Sequence, residues 1–273
     1  MNNFFHIITL PFLACLVLTG IHAYLGFHVI EREVIFVDLA LAQIAALGAS
    51  LALVFGYGMD SVQSYWISLA FTVAGAAIFS LTRFEKQRVP QEAIIGITYA
   101  VSAALLILVL SRSGEGDEHI RQALVGNILL ISPQEVLKIF LIYSAIGTFH
   151  FIFREKFFMI SHDAQEALKK GVNIRFWDFL FYVSFGLVVT SSVKIAGVLL
   201  VFSFLIVPSV AAILFSENPK TRLLLGWTVG FFASVLGMVF SYYFDFPTGA
   251  SVVCMFGILL VGFSLVRAFL PKN

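Results

Sequence analysis

Residues 91–111 read QEAIIGITYAVSAALLILVLS, with Glu92 as their one charge and the unbroken apolar run AALLILVL near their end. A strand of a transmembrane barrel alternates lipid-facing and lumen-facing residues over about ten positions, and this run does not alternate. Some 20 residues at about 1.5 Å each cover the ~30 Å hydrocarbon core as a helix. Backbone in lipid must satisfy its own hydrogen bonds, so the stretch predicts a membrane-spanning helix.

Eight further stretches of the same kind surround it, at roughly 5–28, 34–56, 62–82, 134–153, 176–193, 195–215, 222–243 and 248–270. Their connections are short except for 112–133 and 154–175. The expected fold is all-α: a polytopic helical membrane protein of about 8–9 transmembrane helices, forming one domain over residues 1–273. Composition agrees, with 60% hydrophobic and 12% charged residues, where soluble domains carry about 25% charged. A soluble enzyme and a disordered chain are both excluded. The thirty phenylalanines suit a lipid-facing surface, and a net charge of +1 gives no reason to expect a nucleic-acid partner. Cys15 and Cys254 lie inside apolar runs and form no CxxC or disulfide framework. The opening MNNFFHIITL has no Lys or Arg, so it reads as the start of the first spanning helix and not as a secretory leader.

Lysine and arginine set the expected orientation. With nine crossings, Arg32, Arg83, Lys86, Arg88, the five basic residues of 154–175, Lys220, Arg222, Arg267 and Lys272 share one side, against Arg112, Arg121 and Lys194 on the other. Thirteen against three puts 154–175 and the C-terminus in the cytoplasm and the N-terminus outside. Val193 to Gly197 is the weak point of that count, because two helices nearly merge there.

The chain has no Gly-Lys dipeptide, HExxH or GxSxG, so no phosphate-cradling loop, zinc-protease helix or nucleophile elbow is present. Any ATP used must be bound by another chain. Within the second helix, Asp38 and Gln43 are polar residues in an apolar run. A charge at the bilayer centre costs about 2.5–3.5 kcal/mol, which makes an intramembrane acid a functional candidate. The plainer reading of Asp38 is an interfacial tether near Arg32 and the helix N-terminus. Ala42, Ala46 and Ser50, with Ala45 and Ala49, recur every four residues as a packing face. His6, His22, His28, His119, His150 and His162 show no i, i+3 or i+4 pair, so each is a packing residue before it is a metal ligand. In 163–170, Ala164, Ala167 and Leu168 form an apolar strip on a short amphipathic helix stopped by Gly171. That helix is either a solvated connector or a docking element for a cytoplasmic partner.

Six blocks, in order along nearly the whole chain, resemble the permease subunits of ABC importers for zinc and manganese. They are EREVIFVDLALAQIAALG (31–48), QEAIIGITYAVSAAL (91–105), LVGNILLISPQEV (124–136), DAQEALKKGV (163–172), VKIAGVLLVFSFLIVPSVAAILF (193–215) and FSYYFDFPTGASVV (240–253). The resemblance implies a multi-pass protein of the bacterial inner membrane with no catalytic residues of its own. It implies a second permease copy, a cytoplasmic ABC ATPase that binds ATP, and an extracytoplasmic solute-binding protein. A divalent metal ion is the implied cargo, and no cofactor is implied in this chain. The coupling segment to the ATPase would lie near 161–172, with Asp163, Ala167 and Gly171. Two positions depart from the family. Its metal-path Asp and His stand four apart, whereas here the His position matches Gln43, five after Asp38 and about 140° around the helix. The Asp of its Gly-Asp motif is Asn127. Asp38 and Gln43 remain the transport-path candidates. The alternatives are a chelated metal or a small organic solute on the same scaffold, an ATP-independent secondary transporter, and a membrane enzyme. The last two fit less well, because convergent acids or histidines are missing from the helices.

Overall fold

The computed structural model describes residues 2–58, 61–83, 89–111 and 126–270, with side chains from Ile7 onward. Lys86, Arg88, Arg112, His119, Arg121, Lys272 and the His6 side chain lie outside the described residues. The helices are α1 (Asn2–Glu31), α2 (Val37–Val54), α3 (Val62–Leu81), α4 (Gln91–Leu110), α5 (Pro133–Ile152), α6 (Arg154–His162), α7 (Ala164–Lys169), α8 (Ile174–Ala196), α9 (Val198–Ile213), α10 (Pro219–Phe244) and α11 (Thr248–Phe269). A 3₁₀ turn, Ile128–Leu130, precedes α5. All nine expected spans are helices. Eight are long and apolar enough to cross a bilayer, and α9 is apolar but only 16 residues long, about 24 Å against ~30 Å of hydrocarbon. The near-merger around Val193 to Gly197 resolves as a break: α8 runs on to Ala196, Gly197 takes φ 77°, and α9 begins at Val198. The 154–175 connection holds two helices where one was expected. α6 forms because Phe157, Ile160 and Ser161 fall on one buried face.

The chain divides into two compact units built from interleaved segments. The first comprises Met1–Ile30, Gln122–Gly147 and Lys194–Asn273. Its helices meet at small residues, as expected where van der Waals contact drives association in lipid. Gly230 abuts Thr19, and Gly226 abuts Ala23 and Pro208. These contacts set α1 antiparallel to α10 and leave the connection 214–218 at the C-terminal end of α1, where the Arg222 guanidinium lies 5.9 Å from the Phe27 ring. At Gly26 a side chain would run into the Leu205 carbonyl, so only glycine permits this approach of α1 to α9. Gly126, at φ 62°, packs on the Ala196–Gly197 backbone, and Asn127 N–H donates to the Ile195 carbonyl at 3.2 Å. The block that departs from the family at Asn127 thus pins the α8–α9 break. In the closing block, Asp245 ends α10 in the left-handed region at φ 54°, and the Ser241 and Thr248 hydroxyls hydrogen-bond at 2.9 Å. That block therefore builds the α10–α11 turn.

The second unit comprises Glu31–Arg121 and Thr148–Val193. Ala45 of the small-residue stripe and Gly48 beside it form the crossing with α3: Ser68 Oγ donates to the Ala45 carbonyl at 2.9 Å, and Gly48 faces the Ser68 Cα. Gly186 of α8 packs on Thr72, whose hydroxyl reaches Thr190 at 3.2 Å. Phe149, Phe153, Phe157, Trp177 and Phe181 interlock edge-on around α5, α6 and α8.

One ionic node ties this unit together. Asp178, fully buried in the second turn of α8, accepts from Arg32 Nη1 at 2.6 Å and from Arg83 Nη1 at 2.5 Å. Arg32 Nε also donates to Ser161 Oγ on α6 at 2.8 Å, and its guanidinium lies 4.0 Å from the centre of the Phe181 ring. The 31–36 turn, the residues after α3 and α8 thereby meet at one carboxylate, and α6 joins them through Arg32. Removing one partner of a buried pair costs about 3–5 kcal/mol, because the other charge stays buried and unmatched. Asp178→Ala, which strands two guanidiniums, is therefore expected to lower the thermal midpoint of the purified protein sharply; an unchanged midpoint in a melting assay would show that the node is dispensable. For orientation, Ser161 makes a poor reporter because it is buried against Arg32. Lys169 is exposed, and Lys169→Cys is expected to react with an impermeant maleimide only from the cytoplasmic face of sealed vesicles.

Candidate functional site

The second unit carries the residues singled out in the sequence. α2 begins at Val37 with no side-chain cap, so Asp38 sits in the first turn where helix N–H groups are still unsatisfied. Asp38 is only 2% exposed. The interfacial-tether reading paired it with Arg32, but Arg32 is committed to Asp178 and Ser161.

α2 is an uninterrupted α-helix across these positions. A local bulge that would bring Asp38 and Gln43 to one face is therefore not present, and the two side chains stay about 140° apart. The structure instead brings Asp38 toward Glu92 in the first turn of α4, close enough for the two charges to interact. Glu92 Oε1 accepts the Phe36 N–H at 3.0 Å, which fixes the turn just ahead of Asp38. Among the described residues, Asp38 Oδ1, Gln43 Oε1 and Glu92 Oε2 are buried oxygens with no hydrogen-bond partner. Buried polar atoms normally find partners, so the orphaned oxygens of Asp38 and Glu92 on two neighbouring helices mark a place suited to a cation or to water, while that of Gln43 lies on another face of α2. Sequence reasoning passed over Glu92 because it opens a long apolar helix and reads as an ordinary first-turn acid. The signal that could have found it is its place in the block QEAIIGI.

No group of three or more His, Cys, Asp or Glu residues able to hold a metal occurs among the described residues. The histidines have packing partners. A His22 ring nitrogen bonds the Leu18 carbonyl at 2.9 Å and its ring meets Tyr143 edge-on. His28 lies edge-on to Tyr24 and Phe27. His150 bonds Ser184 Oγ at 2.8 Å and stacks on Phe157. His162, at the end of α6, lies 3.7 Å from Glu31.

In 161–172, Asp163 caps α7, its Oδ1 accepting the Glu166 N–H at 2.9 Å, and Gly171 ends the turn at φ 73°. Both are shape-setting residues. The apolar strip expected on the outside of this helix is divided: Ala167 is fully buried against Ile160 and Val172, whereas Leu168 is 38% exposed. Ala167 points inward because α6, folded back on α7, supplies the apolar partner that sequence spacing alone does not reveal. The outward surface of the segment consists of Gln165, Glu166, Leu168, Lys169 and Lys170.

The family model for the ABC 3 transport family matches residues 5–267. The manganese transport system membrane protein MntC of Listeria innocua is 27% identical over 217 residues, covering 77% of this chain and 76% of that protein. The chelated iron transport system membrane protein YfeD of Yersinia pestis is 24% identical over 96% of this chain and 89% of its own length. Among solved structures, PsaBC from Streptococcus pneumoniae, in complex with Fab, superposes with a TM-score of 0.76 at 24% identity, covering 98% of this chain and 93% of that one. The eight long apolar helices and the match over almost the whole length have one meaning: this chain is a multi-pass membrane permease belonging to the ABC 3 transport family.

Proposed function

We propose that this chain, acting as one permease domain, carries a divalent metal ion through the membrane in an importer driven by a separate ABC ATPase. An extracytoplasmic solute-binding protein delivers the ion, and a second copy of this permease completes the pathway. The observation that carries the cargo assignment is the pair of acids, the buried Asp38 and the half-buried Glu92, each with an orphaned carboxylate oxygen. An all-oxygen set suits manganese or another hard cation better than zinc, which prefers imidazole and thiolate. Fewer than three strong ligands is no defect in a path: an ion in transit must be held firmly enough to enter and loosely enough to leave. The relatives named for manganese and for chelated iron agree with a metal cargo. The iron relative keeps a chelate as the second reading.

Coupling has a physical route in the second unit. The 161–172 segment connects through Ser161 to Arg32, and Arg32 leads through the 33–36 turn, held by Glu92, to Asp38. A displacement of α6 and α7 by an ATPase would therefore be felt at the acid pair through bonded and packed groups.

Two measurements test this reading. In vesicles carrying the permease with its ATPase and binding protein, Asp38→Asn and Glu92→Gln are each expected to reduce manganese uptake by about tenfold or more, with the fold intact by circular dichroism. Uptake of free manganese, free zinc and an iron chelate, measured side by side, separates the ion from the chelate; unchanged manganese uptake in both variants would make the acids structural. Leu168→Glu is expected to weaken ATPase binding about tenfold, close to 1.4 kcal/mol, without moving the thermal midpoint. Ala167→Glu should instead destabilise the chain, because it forces a charge into a packed site.

A further inference from the structure

Two adjoining grooves in the second unit, outside the acid pair, meet at Asn173 and Arg175. The larger, about 540 Å³, is lined by Arg83, Asn173 and Arg175 together with residues of the 161–172 segment, His162, Asp163 and Leu168 among them. The smaller, about 330 Å³, lies against Ala77, Leu81, Phe176 and Phe179 and is almost wholly apolar. The first is mixed, with two guanidiniums beside apolar side chains; the second faces outward from the ends of two membrane-spanning helices, where Leu81 is 63% and Phe176 52% exposed. We propose that this pair of grooves is a binding site for one anionic phospholipid, its phosphate held between Arg83 and Arg175 and an acyl chain lying along Leu81, Phe176 and Phe179.

The parts fit that ligand by position and by charge. Arg175 is exposed and makes no ion pair or hydrogen bond among the described residues, so its guanidinium is free to take a phosphate. Arg83 uses Nη1 on Asp178 and keeps further donors on a guanidinium that lines the groove. The backbone at the start of α8, capped by Asn173 accepting the Phe176 N–H at 3.1 Å, adds the positive end of a 23-residue helix. Asp163, the one acid in the lining, spends Oδ1 on its own helix. A basic pocket between helix ends next to an apolar furrow matches the two-part chemistry of a phospholipid, polar at the head and apolar in the tail. A free phosphate would leave the apolar furrow unused, and an acidic protein segment would have no need of it.

The test is native mass spectrometry on the full-length chain, delipidated in detergent and titrated with phosphatidylglycerol, phosphatidylcholine or inorganic phosphate. Phosphatidylglycerol is expected to bind in preference to phosphatidylcholine. Its affinity should fall about fivefold in Arg175→Ala, recover in Arg175→Lys, and stay unchanged in the control Lys220→Glu. Equal binding of the two lipids, no loss in Arg175→Ala, or displacement of the lipid by millimolar inorganic phosphate would each overturn the proposal. So would loss of the bound lipid on addition of the ATPase together with a cross-link from Arg175→Cys to that subunit, which would make the groove a protein interface.

Discussion

Asp178 is the constraint on which the second unit turns. A carboxylate with no exposure inside a membrane-spanning helix is tolerable only when opposite charge meets it closely. Two arginines do so, one from the 31–36 turn and one from the end of α3, and both reach inward from connections. Their aliphatic stems cross apolar surface while their heads converge on one acid. The surplus positive charge is eased by the Phe181 ring face beneath Arg32. Four elements distant in sequence thus share one electrostatic anchor.

That anchor also determines what the neighbouring residues can do. With Arg32 spent on Asp178 and Ser161, Asp38 six residues later has no cation of its own among the described residues and keeps an orphaned oxygen near Glu92. A buried acid left without a fixed cation suits transport, because a passing ion then meets no permanent competitor. The same economy appears in 161–172, where Asp163, Ala167 and Gly171 are spent on shape and the surface is left to Leu168 and the charged residues around it.

The first unit shows close contact between small residues at its helix crossings. Glycines at 26, 226, 230 and 237 let helices approach until side chain meets backbone. In lipid the hydrophobic effect does not draw helices together, so close packing and short hydroxyl hydrogen bonds such as Ser241 to Thr248 must. Gly126 against Ala196–Gly197 shows the same device holding a break in place.

Hydropathy alone determined the all-helical class and the positions of all nine apolar helices, because a bilayer leaves the backbone almost no other choice. The order of six short blocks pointed to the family. Local chemistry was equally legible where it is local: the short helix after 162 and its stop at Gly171 depend on neighbours a few residues away. What tertiary structure decided was every relation across sequence distance. Nothing in the sequence singles out Asp178, to which the fold brings Arg32 and Arg83 over 146 and 95 residues. Spacing alone put Gln43 about 140° around the helix from Asp38, and the regular helix keeps it there; only packing shows that a neighbouring helix brings Glu92 toward Asp38. Ala167 belonged to an outward strip by spacing and turned inward because α6 folds back over it. Periodicity says which face of a helix is apolar, and only the packing of other helices says what that face meets.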